Sequence, residues 1–379
     1  MKKIYLDNAA TTPVYEEVIT AISESMRTVV GNPSSVHQHG RTAKAAIENA
    51  RKKIALQVGA TASEIIFTSG GSEADNLILY NAVENLGVKR IITSALEHHA
   101  VLNVVKELKI QQQISVQYVK TNQDGIVDLV DLRNLLSCSQ DKTLVSLMFV
   151  NNEIGTILEI NKIGVLCKEY KALFHTDAVQ AVGHFEIDLG LSPVDFLAAS
   201  AHKFHGPKGI GFAYFKKGFG IKPMLYGGMQ EKGVRAGTEA VSLIVGMDLA
   251  LQQSMLNWKQ DVWYIWDLKK KFVALLQAEI PALKFNGASN DLKNTTVTIL
   301  NVRLPKEMPL LLFQLDMLGI SVSGGSACQS GSNKGSHVLL SLLPEKYQMQ
   351  TSIRFSFSKF TRWEDLKYVV QVLKEKLTI

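Results

Sequence analysis

Short apolar runs alternate with helical stripes through the first two-thirds of this chain, and that alternation constrains the fold more than any other feature. The runs are Ile65-Ile66-Phe67, Ile91-Ile92-Thr93, Val116–Val119, Leu144–Val150, Leu173-Phe174-His175, Phe196–Ala199 and Ile210–Phe215. Between several of them lie helical segments. Val18, Ile22, Met26 and Val29 mark one helix face ahead of the first run, and Ala43, Ile47, Ala50 and Ile54 mark another. Strands alternating with helices build a mostly parallel sheet covered on both faces. A long helical region, Glu239 to Glu279, then carries the chain away, and Pro281 and Asn286-Gly287 end it. A smaller unit follows: strand Thr295–Val302, helix Glu307–Leu318, strand Ile320–Ser323, helix His337–Leu343, strand Ser352–Ser358 and a helix from Thr361. Thr361 and Glu364 have the spacing of a capping box for that last helix.

At 379 residues the chain is too long for one small core, and two domains are expected. Apolar residues at 46% and charged residues at 20% fit a soluble globular protein. No apolar run is long enough to cross a bilayer. The N-terminus turns polar at Asp7 and has no secretory apolar stretch, which points to the cytoplasm. The net charge of +6 is modest. The basic run Lys269-Lys270-Lys271 lies in a helical stretch and reads as a solvated face, so no nucleic acid is expected. Cys138, Cys167 and Cys328 are widely spaced with no C-x-x-C pair, which excludes a disulfide framework and a tetrahedral zinc site. Cys167, in a helical pattern, reads as a buried small hydrophobe.

Candidate chemistry gathers at the ends of the apolar runs. Lys203, in Ser200-Ala201-His202-Lys203-Phe204-His205-Gly206-Pro207, follows Phe196–Ala199 and sits where ligands of α/β sheets bind. Its amine suits a Schiff base with an aldehyde cofactor such as pyridoxal phosphate; a solvated lysine at a loop start has the same local sequence. Thr68-Ser69-Gly70-Gly71-Ser72 links a strand to a helix start, a place for a phosphate or a plain turn capped by Ser72. Asp177, ahead of Gln180, closes another run and suits either a pyridinium partner or a helix cap. His98, in Glu97-His98-His99, could stack on a flat ring or carry protons, or be a solvated loop histidine. Neither His98-His99 nor His202/His205 makes a metal motif, and no metal is expected. Cys328 lies in a glycine- and serine-rich stretch, Ser321 to Ser336, too poor in apolar residues to pack a core, so its thiol is expected to be mobile and reactive. Arg354, on the alternating strand Ser352–Ser358, could hold a carboxylate or face solvent.

Taken together, these segments resemble the cysteine desulfurases of the class V pyridoxal phosphate enzymes along nearly the whole chain. The resemblance is carried by Tyr5–Pro13, Gly31–His37, Val150–Thr156, Asp177–Gln180, Ser200–Gly209, Arg235–Glu239, Ser326-Ala327-Cys328 and Arg354-Phe355-Ser356, in the family's order. It implies a fold type I α/β architecture, with a mixed, mostly parallel seven-stranded sheet in a large domain (15–255) and a smaller α+β domain (1–14 and 256–379). It implies Lys203 as the cofactor lysine, Asp177 on the pyridinium nitrogen, Gln180 on the ring hydroxyl and His98 over the ring. Gly71, Ser72, Ser200 and His202 would hold the phosphate, with Thr238 reaching in from the second subunit of a homodimer. Asn152 would contact cofactor and substrate, and Asn32 and Arg354 the substrate. Cys328 would take the sulfur of L-cysteine as a persulfide and pass it to an iron–sulfur scaffold or another acceptor, leaving L-alanine. The Gly70-Gly71-Ser72 turn departs from the family's usual Gly-Ala-Thr but keeps the hydroxyl. A selenocysteine lyase on the same fold would not need Cys328, and a non-catalytic α/β scaffold would bind no cofactor.

Overall fold

The computed structural model describes residues 3–324 and 335–378. In chain order the first part contains β1 (Ile4–Tyr5), α1 (Glu16–Thr28), α2 (Gln38–Gln57), β2 (Ile65–Thr68), α3 (Gly71–Tyr80), β3 (Arg90–Thr93), α4 (His99–Gln111) and β4 (Ser115–Tyr118). It continues through α5 (Leu129–Ser137), β5 (Thr143–Ser146), α6 (Ile160–Glu169), β6 (Leu173–Asp177), β7 (Phe196–Ser200), β8 (Gly211–Phe215) and α7 (Val241–Leu256). The strands β2 to β8 form one seven-stranded sheet in the order β2-β8-β7-β6-β5-β3-β4. Pairing is parallel except where β8 runs against β2 and β7. The mixed, mostly parallel sheet expected for fold type I is therefore present, with its seven strands on the seven apolar runs. The run Leu144–Val150 is strand only over its first part, and the rest descends toward the site.

Side chains along these strands alternate between two cores, as a period of two requires. Ile65 and Phe67 enter one core with Leu197, Phe212 and Tyr214; Ile66 enters the other with Phe196, Ala198 and Phe215. Both faces are covered, which is why the runs are continuously apolar. Full burial of a side chain such as Phe212 contributes about 1.5–3 kcal/mol. Ala43, Ile47, Ala50 and Ile54 of α2 all turn inward. On α1 the stripe drifts: Val18 is buried, Ile22 packs half-buried against the same core, Ser25 takes the next inward place, and Met26 is exposed.

The second part contains α8 (Trp258–Glu279), β9 (Lys284–Phe285), β10 (Ile299–Arg303), α9 (Leu311–Met317), β11 (Ile320–Ser321), α10 (His337–Leu342), α11 (Glu345–Gln348), β12 (Ser352–Ser356) and α12 (Trp363–Thr378). The expected single helical region is two helices, broken at Asn257. An antiparallel sheet, β12-β10-β9, packs with α8 and α12 around a separate core of Leu268, Phe272, Leu300, Phe355 and Val369. The N-terminal β1 pairs with β11, and Ile4 and Leu6 join this second core. Two readings need correction. Lys269 is buried, not solvated: it falls among Ile265, Leu268 and Phe272 on the inner face, and its ammonium donates to Thr295 Oγ1 at 3.0 Å and Thr296 O at 2.7 Å. Thr361 does not start the last helix; its hydroxyl accepts from the Ser358 amide and the helix begins at Trp363.

Candidate active site

Because β2 and β7 both run against β8, their carboxyl ends lie on the same edge of the sheet as those of the parallel strands. The turns leaving β2, β3, β5, β6 and β7 meet there around a cavity of about 320 Å³. A second cavity, of about 290 Å³, lies behind Ala9 and Gln180 against Tyr15, Trp258 and Trp266. Lys203, Asp177, His98 and Arg354 all line the first and not the second, which places the chemistry.

The β2–α3 turn supplies the anion-binding end. Gly70 has φ +155, a conformation open to glycine, and Gly71 approaches Val179 so closely that a Cβ would come within 2.4 Å of its Cγ2. Gly70 is the N-cap and offers no side chain, so Ser72 does not cap the helix; Gly71 and Ser72 line the cavity from the first turn of α3. Backbone amides and helix dipole favour an anion there. Ser200, at the end of β7, and His202 line the same cavity. His202 Nδ1 is 3.2 Å from Thr11 Oγ1, and burial with Lys203 nearby pushes its pKa down to about 4, so the ring is neutral.

Lys203 follows in a short turn, and its Nζ donates to the carbonyls of Ala9 and Ala10 at 2.7 and 2.8 Å. It is not a solvated loop lysine. Gln180 Nε2 donates to the same Ala9 carbonyl at 2.9 Å. Asp177 ends β6, and its Oδ1 accepts the Val179 amide at 2.9 Å, so one oxygen does hold the turn while the carboxyl lines the cavity. Burial raises its pKa, and His98, the Val179 amide and Lys203 oppose that shift. His98 caps α4 by accepting the Ala100 amide at Nδ1, which puts the proton of the neutral ring on Nε2.

Arg354 is buried on β12, 3% exposed, which excludes the solvent-facing reading. Its Nη1 donates to Asn152 O at 2.8 Å and its Nη2 to Asp7 Oδ1 at 2.9 Å, while its buried Nε has no hydrogen-bond partner among the described residues. Asn152 lines the cavity through the turn after β5. Cys328 lies outside the described residues. The described residues on either side of its segment stand close to the cavity: Ser323 pairs with Arg354, and Ser336 donates to Glu153 Oε2 just before His337 of the cavity wall. Cys167 is buried as expected, and burial pushes its thiol pKa up.

Two expected site residues do not line the cavity of their own chain, as Thr238, expected to serve the neighbouring subunit, need not. Asn32 is in an exposed turn where its Oδ1 accepts the Ser34 amide. Thr238 is exposed beside Gly209 and Arg235, away from the cavity of its own chain. Sequence reasoning missed the Ala9 and Ala10 carbonyls, which carry no side-chain signal, and Asp75, Glu153 and His337, which line the cavity.

Residues 4–369 match the Aminotransferase class-V family. The chain is 40% identical over 375 residues to cysteine desulfurase IscS of Dictyoglomus turgidum, covering 98% of this chain and 94% of that one. A solved NifS-like protein superposes with a TM-score of 0.91 at 34% identity, with 100% of both chains covered. SspA in complex with cysteine superposes with a TM-score of 0.81 at 30% identity, covering 95% of this chain and 100% of that one.

Proposed function

Because the chain belongs to the class-V aminotransferase family and, within it, to the cysteine desulfurases, we propose that it uses pyridoxal 5'-phosphate, held around Lys203, to move sulfur from free L-cysteine to Cys328. The observation that carries this reading is the convergence of Lys203, Asp177, His98 and Arg354, distant in sequence, on one cavity.

The donor set fits the cofactor. Gly71, Ser72, Ser200 and His202 suit its phosphate, Asp177 its ring nitrogen, Gln180 its ring hydroxyl, and His98 the face of its ring. Lys203 would hold its aldehyde carbon. Bound there, the cofactor supplies an electron sink for the substrate's α-carbon.

The chain's own residues supply the rest. Arg354 binds the substrate carboxylate, with Asp7 and Asn152 O fixing the guanidinium plane. The Lys203 amine, released on substrate entry, takes the α-proton. His98 Nε2 moves protons beside it. The Cys328 thiolate attacks the substrate sulfur: an S–S bond forms, the carbon–sulfur bond breaks, and its electron pair leaves with the three-carbon skeleton. Protonation of that skeleton gives alanine, so L-cysteine and a thiol become L-alanine and a persulfide. The persulfide sulfur then passes to an acceptor, an iron–sulfur scaffold or another sulfur-accepting protein. A homodimer, with Thr238 reaching the neighbour's phosphate, and a cytoplasmic location complete the reading. Among the described residues no helix is long and apolar enough to cross a membrane.

The test is incubation of the purified, cofactor-loaded protein with L-cysteine. Alanine should form together with a Cys328 peptide carrying one extra sulfur, and Cys328→Ala should abolish both. Alanine formation undiminished in Cys328→Ala would reject the thiol's role and favour the lyase alternative.

A further inference from the structure

The mechanism leaves a buried polar chain beneath the cavity unused. Asp75 is on α3, 1% exposed, one helical turn after Gly71 and on the same face. Its Oδ1 lies 3.3 Å from Nε2 of His175, a fully buried ring on β6. His175 Nδ1 is 2.9 Å from Ser146 Oγ on β5. Asp75 Oδ1 and His175 Nε2 are both buried with no hydrogen bond among the described residues, and the 3.3 Å approach makes each the nearest described partner available to the other.

The surroundings decide where the proton sits. Asp177 and His175 face Asp75 from β6 and Glu97 faces it from the β3–α4 turn, while His98 and Lys203 act on Asp177. Three buried carboxyls this close cannot all ionise. Burial, then the charges of Asp177 and Glu97, push Asp75 well above the usual carboxylate range. Burial pushes Glu97 to about 8 and His175 down to about 3. His98 and Lys203 instead favour the charged form of Asp177.

We propose that Asp75 is a positioning residue: its neutral carboxyl donates a hydrogen bond to His175 Nε2, which leaves Asp177 as the one anion of the three facing the cofactor's ring nitrogen. Neutral His175 then donates its Nδ1–H to Ser146. The link also ties α3, whose first turn forms the phosphate end, to β6, which carries Asp177. This rests on the cofactor reading above.

The test uses a Glu97→Gln background, in which the second buried acid stays neutral. Pyridoxal phosphate affinity of the apoprotein is followed from about pH 6 to about pH 10. Glu97→Gln should lose affinity on the alkaline side as Asp75 ionises. Adding Asp75→Asn, neutral at every pH, should remove that loss and keep neutral-pH affinity within about threefold. A double variant that keeps the alkaline loss, or that falls more than about tenfold at neutral pH, overturns the proposal. An infrared difference between the two proteins without cofactor should show the carbonyl band of a neutral carboxylic acid at neutral pH; its absence overturns the proposal independently. If the Asn variant does not fold, Asp75→Ser serves, being smaller and equally neutral. Presence of the band in a protein that binds no pyridoxal phosphate would support the neutral Asp75 and sink only the cofactor reading.

Discussion

Two buried sets of charge in the large domain follow opposite rules. Arg51 and Glu231 form a bidentate pair, with Nη2 to Oε1 at 2.6 Å and Nη1 to Oε2 at 2.8 Å, and both side chains are 2% exposed. Glu231 also accepts the Phe67 amide, Arg51 also donates to Ile65 O, and the guanidinium lies over the Phe67 ring. Every charge there has an opposite, and the pair anchors Glu231 and Lys232, whose φ values of 44 and 60 no glycine relieves. At the carboxyl edge of the same sheet, Asp75, Glu97 and Asp177 are three neighbouring carboxyls whose burial raises the pKa of each. The first arrangement holds the chain in place. The second stores unfavourable electrostatics that a cationic ring nitrogen would relieve, as functional sites often do.

Single substitutions should separate the two. Asp177→Asn should lower kcat/KM by about 10³-fold, or about 4 kcal/mol of transition-state stabilisation, while leaving thermal stability equal to or above wild type. A parallel loss of stability would show that Asp177 is structural. Arg51→Met should do the reverse. It strands a buried Glu231 and should cost about 3–5 kcal/mol of stability by denaturant unfolding, with kcat of the folded fraction within about threefold of wild type.

The pH dependence sharpens the contrast. Glu97 keeps its proton in the native state up to about 8, but the unfolded chain loses it near 4.5. Unfolding therefore releases a proton between those values, and stability falls as pH rises through that window. Glu97→Gln should flatten this part of the stability curve. In the second core, burial pushes Lys269 down to about 7 from an ordinary value of 10.5. There the unfolded chain binds the extra proton, so stability rises with pH from about 7 to about 10.5. Lys269→Met should be the mildest change: within about 1 kcal/mol of wild type near pH 9, and more stable than wild type near pH 6.

The same contrast explains what the sequence made legible. The seven strands were readable because strands buried on both faces are mostly apolar, as in Ile65-Ile66-Phe67 and Phe196–Ala199. The site turns were readable because Gly70-Gly71, Asp177 and Ser200–Lys203 interrupt those runs where polar residues are costly. Asp75 and His175 gave no such signal. One sits inside an ordinary helix and the other inside a strand, and they matter because α3 and β6 bring them within 3.3 Å. Lys269 was misread for the same reason: a basic run looks solvated until Thr295 and Thr296 O are folded against it. The distance of Asn32 from its own chain's cavity was likewise invisible to motif order, which carries no distances.

The central claim is that Lys203 is the amine that holds the cofactor. Borohydride reduction of the holoprotein, followed by peptide mapping, tests it most directly. A pyridoxyl group fixed on Lys203 and absent from the Lys203→Ala variant is the expected result. The group on another lysine, or no stable adduct in a protein that otherwise turns cysteine into alanine, would contradict the account.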